Sequence, residues 1–139
     1  MTLATRSAAA IAAALLLLPA TTASAAPATS RVTVLQAHLA ASDDANGTGS
    51  ATVRLRPAVR RVCATISWSR IQKPFAAHIH RHSDGQVVVD LTGSVTGGAR
   101  CVRAPRRLIR AIAARPGKYY VNVHNETYPA GAVQGTLHR

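Results

Sequence analysis

Apolar and polar side chains alternate along most of the chain. Residues 31–40, RVTVLQAHLA, alternate well enough for a strand. Residues 51–56, ATVRLR, do so cleanly, with Ala51, Val53 and Leu55 on one face and Thr52, Arg54 and Arg56 on the other. Pro57, which has no N–H to give a ladder, closes that run. Residues 61–68 put Val62, Ala64, Ile66 and Trp68 on one side. Residues 74–80, PFAAHIH, set Phe75, Ala77 and Ile79 against Ala76, His78 and His80. Residues 86–91, QVVVDL, are a nearly continuous apolar run. Residues 118–125, KYYVNVHN, bury Tyr119, Val121 and Val123 and turn Tyr120, Asn122 and His124 outward. Residues 131–139 form a last strand.

The breaks agree with this reading. Asn46-Gly47 centres a turn-rich loop over 41–50, Ser83-Asp84-Gly85 turns the chain, and Gly93, Gly97 and Gly98 mark a second long loop. One helix stands out at 104–117. Pro105 suits its first turn, Leu108, Ile109 and Ile112 form a stripe, and Pro116-Gly117 stop it. About seven short strands and one short helix predict an all-β fold, an antiparallel sandwich or barrel.

The first 25 residues read as an export address. Arg6 precedes an uncharged aliphatic run, and TTASA supplies small residues before a cut after Ala25. The run is short for a bilayer and Pro19 ends it, and no second long apolar run follows. The expectation is a secreted protein without a transmembrane segment in its mature form, with residues 26–139 as one domain. Export changes the meaning of Cys63 and Cys101, the only cysteines. An even count outside the cell favours a disulfide over two buried thiols.

The formal net charge is +12. Nucleic acid is the first partner such a charge suggests, but the chain is read as exported and its aromatic residues are few, so stacking platforms are scarce. The excess is nearly all arginine, Lys73 and Lys118 being the only lysines. A solvated basic surface is the favoured reading, one that would meet anionic wall polymers, lipid head groups or acidic glycans. Asp43 and Asp44 lack the spacing of a calcium loop and read as turn residues.

The histidines carry the candidate chemistry. In AHIHRH, His78, His80 and His82 stand at every second position. With Phe75, Ala77 and Ile79 claiming the core, all three point away from it. His124 shares that outer face if its strand is a neighbour. Imidazoles at i and i+2 can converge on one ion, whereas a third at i+4 starts about 13 Å from the first. His78, His80 and His124 are therefore the candidate ligands, and His82 is the weak one. Imidazole suits copper and zinc alike. The alternative is that these rings hydrogen-bond to backbone, Asn122 or Tyr120 and fix the outer layer of the sheet. No Ser-His-Asp order, paired glutamates or phosphate loop suggests another active site. Asp84 and Asp90 read as turn and strand-end residues.

The segments AAHIHRHSDGQVVVDL and PGKYYVNVHNETYPAGAVQGTL, with CV between them, resemble the CHRD domain, the repeat module of chordin, which also occurs as a single secreted domain in bacteria. The most specific pieces are His78-Ile79-His80 and Tyr119–His124 followed by Tyr128-Pro129 and Gly131-Ala132. Cys63 and Cys101 fit the bacterial members. The chain departs from the pattern at His82, where glycine is usual, and at Gln134 and Thr136, which replace Arg and Gln. The resemblance implies an extracellular β-rich module; it does not imply catalysis, and none is expected. An H-x-H strand with a late V-x-V-H is also similar to the copper side of copper-zinc superoxide dismutases, which places the expected fold in the Ig-like or superoxide-dismutase-like class.

Three functions follow as expectations. The first is a secreted binding or structural module that is not an enzyme and engages an extracellular protein. The second is a copper- or zinc-binding protein, with weak dismutase-like activity as an extension. The third is a basic binder of anionic surface polymers.

Overall fold

The computed structural model describes residues 31–43 and 46–139. The expected leader, residues 1–25, lies outside the described residues, as does Asp44. β1 (Thr33–Ala41), β2 (Thr48–Arg56) and β3 (Arg61–Ser69) form a meander. Its register puts Leu35 opposite Val53 and Val53 opposite Ala64, so the alternation of all three strands feeds one buried face. The remaining strands are β4 (Ala76–Arg81), β5 (Val87–Asp90), β6 (Cys101–Arg103), β7 (Tyr119–His124) and β8 (Val133–Thr136).

All pairings are antiparallel, in a single sheet of order β5-β4-β7-β8-β1-β2-β3-β6 that nearly closes into a barrel. A four-residue helix, α1 (Gly93–Thr96), packs against both β4 and β3 and joins separate parts of the curled sheet. There the Ser94 hydroxyl donates to the Ala64 carbonyl at 3.1 Å, and Leu91 N–H donates to the Ala77 carbonyl at 2.8 Å. α2 (Arg106–Ala114) contributes Ile109 and Ile112, both fully buried, to a core with Leu35, Leu55, Val62, Ile79 and Val121. Among the described residues no helix is long and apolar enough to cross a membrane.

The expected all-β sandwich or barrel is the observed class, with eight strands where seven were expected. The additional one is β6, only three residues long and at the sheet edge. Cys63 on β3 faces Cys101 on β6 in the register, and the two are disulfide-bonded. That bond fastens a strand too short to announce itself by alternation. The glycine-rich loop contains α1, and α2 is shorter than 104–117 because a 3-10 turn over Pro116–Lys118 replaces its last part.

Phe75 corrects the expected core set. It is 48% exposed, whereas Ala77 and Ile79 are fully buried. β4 begins at Ala76, so Phe75 lies ahead of the ladder and rims a surface hollow of about 400 Å³ with Pro74, Thr96 and Glu126. The parity held, but the sheet ends before the position that the parity assigned to the core.

Candidate metal centre

β4 and β7 are direct neighbours, and their register decides which imidazoles meet. His78 lies opposite Asn122, His80 opposite Tyr120, and His124 opposite Ala76. All belong to the face away from Ala77, Ile79, Val121 and Val123. The side chains of His78 and His124 are thus diagonal neighbours across one strand pair, close enough for ring contact. Their ring centroids are 5.0 Å apart, with His78–His80 at 5.7 Å and His80–His124 at 5.9 Å. One ring nitrogen from each of the three lies within 4.8 Å of the other two.

Two of the rings have their tautomer set by the backbone. His80 Nδ1–H donates to the Gly85 carbonyl at 2.8 Å, and His124 Nδ1–H donates to the Pro129 carbonyl at 3.0 Å. A carbonyl can only accept, so each Nδ1 carries the proton and each neutral ring keeps its lone pair on Nε2. Nε2 of His80 is buried and makes no hydrogen bond with the described residues. Nε2 of His124 accepts from His78 Nδ1 at 3.1 Å. Each ring thus has one nitrogen tied to a carbonyl, the outer support that ligand histidines need, and at His80 the other nitrogen is left to face an ion.

His78 is the adjustable member. Its Nε2 lies 3.9 Å from Asp90 Oδ1, and Asp90 is its register partner on β5. The Asp90 carboxyl is held below the usual carboxylate range by the Thr92 hydroxyl and backbone N–H, the latter donating at 2.8 Å. Moving the His78 proton from Nδ1 to Nε2 would direct it toward this carboxylate and free Nδ1 as a third ligand atom. Burial lowers the pKa of His78, the neighbouring His124 ring adds to that, and Asp90 opposes it. Burial also lowers the pKa of His124, against the raising effect of the Pro129 carbonyl. Both shifts favour the neutral, metal-competent imidazole near neutral pH.

The outer face is not the solvated surface that alternation implies. His80, Asn122 and His124 are all buried. The segment following β7 folds back over them. Asn125 Oδ1 accepts from Tyr128 N–H at 2.8 Å, and Asn122 Nδ2 donates to the Ala130 carbonyl at 2.9 Å. Gly131, at φ 148°, completes the return where a Cβ would strike the Asn122 amide. The backbone hydrogen bonds expected of these imidazoles form, at the Gly85 and Pro129 carbonyls, whereas Tyr120 stacks on His80 at 5.0 Å and, among the described residues, neither it nor Asn122 is the expected side-chain partner.

His82 stands apart from the cluster, as the i+4 distance requires. It is exposed, its ring lies 4.7 Å from that of Tyr120, and its Nε2 is 3.2 Å from the Thr136 hydroxyl. Asp84 performs its turn role, accepting from Gln86 N–H and pairing with Arg81 at 2.8 Å. Asp90 does more than end a strand. The signal for it was the Ser83-Asp84-Gly85 turn, which folds β5 back until Asp90 lies opposite His78.

The family model of the CHRD domain matches residues 26–137. The chain belongs to the CHRD domain family. No curated protein and no solved structure matches it. In this CHRD domain the two halves of the expected signature, His78-Ile79-His80 and the strand ending at His124, are the paired strands β4 and β7, and the Tyr128–Gly131 segment is the cover over their histidines. His82 and Thr136 contact each other.

Proposed function

We propose that this CHRD domain is an extracellular binding module whose ligand includes a copper or zinc ion, held by Nε2 of His80, Nε2 of His124 and Nδ1 of His78. The observation that carries this reading is the buried Nε2 of His80, without a hydrogen bond to the described residues, beside two other ring nitrogens. Leaving a buried polar atom unsatisfied costs about 1–3 kcal/mol, and a metal ion would relieve that. A tetrahedral ion with nitrogens at about 2.0–2.1 Å needs them a little over 3 Å apart. The existing spacing needs only a small closure of the rings. Three imidazoles with His78 partly open to solvent leave room for a further ligand, from water or a partner.

Calorimetric titration of the purified protein with zinc and with copper tests the proposal. One tight site per chain is expected. His80→Ala and His124→Ala should each weaken it by more than about tenfold, while His82→Ala leaves it largely intact. No tight site, or equal loss in His82→Ala, would overturn the reading.

A further inference from the structure

A second surface lies on β1, β2, β3 and β6, apart from the cluster of His78, His80 and His124. Arg56 is the register partner of Arg61, and Arg61 is the register partner of Arg103. All three are exposed and stand in one row across three strands. Like charges directly opposite one another on a sheet destabilise it. Nothing on these strands offsets them, because the five acidic residues of the chain are Asp43, Asp44, Asp84, Asp90 and Glu126. Arg54, on the same face, pairs in register with Val34.

The row is bordered by apolar side chains in solvent. Val34 is 45% exposed, Val32 two residues earlier is 49% exposed, and Val59 at the tip of the β2–β3 hairpin is 51% exposed. These are three of the five large apolar residues exposed among the described residues. A purely ionic partner such as a polymer gives valines no reason to be there. A bilayer interface accepts both, with phosphate groups for the guanidinium forks and an acyl boundary for the apolar tips.

We infer that this face docks on the surface of an anionic phospholipid bilayer, with Arg56, Arg61 and Arg103 on headgroup phosphates and Val34 and Val59 at the acyl boundary. The purified protein should co-sediment with vesicles of phosphatidylcholine containing phosphatidylglycerol, and not with phosphatidylcholine alone. Replacing both Arg56 and Arg61 with Gln should weaken binding by about 30-fold. Replacing Arg70 and Lys73 with Gln removes the same charge elsewhere and should change it by less than about threefold. Replacing Val34 and Val59 with Asn keeps the charge and should weaken binding about tenfold. Equal losses from the two charge pairs would overturn the docking face. Binding unaffected by the valine pair and fully competed by soluble inorganic polyphosphate would replace the bilayer with a polymer and overturn the proposal. Unchanged far-ultraviolet circular dichroism separates each result from misfolding.

Discussion

His78 Nδ1 and His124 Nε2 lie 3.1 Å apart, across a strand pair and 46 residues of sequence. Because His124 Nδ1–H is committed to the Pro129 carbonyl, its Nε2 must be the acceptor of this contact. The hydrogen bond between the two rings thus occupies the lone pair that a metal would use. Ion binding and this bond exclude each other, so His78 must change tautomer on loading, and Asp90 stands where the relocated proton would point.

Asp90→Asn is therefore expected to weaken zinc binding without abolishing it. Asp90 is solvent-exposed and 3.9 Å away, so the expected loss is about three- to tenfold, below the roughly 10–100-fold usual for outer-shell partners. Titration at neutral pH measures it. Wild-type affinity in the variant would leave Asp90 without a part in the site.

Gly131→Ala should reduce both stability and metal affinity. The added Cβ would strike the Asn122 amide at a backbone angle that favours glycine, and the Pro129 carbonyl would move with the segment. The expected destabilisation is about 1–3 kcal/mol in urea unfolding. Full stability with intact metal binding would show that the cover does not position His124.

The metal-free protein should lose stability in mild acid. The lowered pKa values of His78 and His124 mean that the unfolded chain binds protons before the folded one does. This contribution is complete above about pH 6.5 and is lost as pH falls from there toward the depressed folded values. Denaturant midpoints measured across that window should fall with pH, and the double variant His78→Gln/His124→Gln should flatten the dependence. Zinc should be released over the same range, since protons compete for the ligand nitrogens.

Reducing the Cys63–Cys101 bond should cost about 4 kcal/mol, the chain-entropy value for a loop of this length. Urea midpoints with and without reductant measure the loss. An unchanged midpoint would mean that β6 holds its place without the bond.

The alternation of residues 74–80 and 118–125 was enough to place His78, His80 and His124 on one face, because strand parity is a local property. The adjacency of those strands came from the family resemblance, since register between distant strands is not written in either one. The burial of Asn122 and His124 was not legible: it depends on a segment that returns over the face and is held by Asn125, Tyr128 and Gly131. Phe75 failed for a related reason, as alternation gives the side of a strand but not where its ladder stops. β6 has three residues, too few for any period, and is fixed by a disulfide from outside itself.

The central claim is that three particular ring nitrogens converge on one ion. Long-range ¹⁵N–¹H correlation spectra of the histidine rings, recorded with and without one equivalent of zinc, read each nitrogen separately. Without metal, His80 and His124 should show protonated Nδ1 and bare Nε2. Zinc should shift Nε2 of His80, Nε2 of His124 and Nδ1 of His78, move the His78 proton to Nε2, and leave His82 unchanged. Spectra in which zinc shifts none of these, or shifts His82 as strongly as His124, would contradict the account.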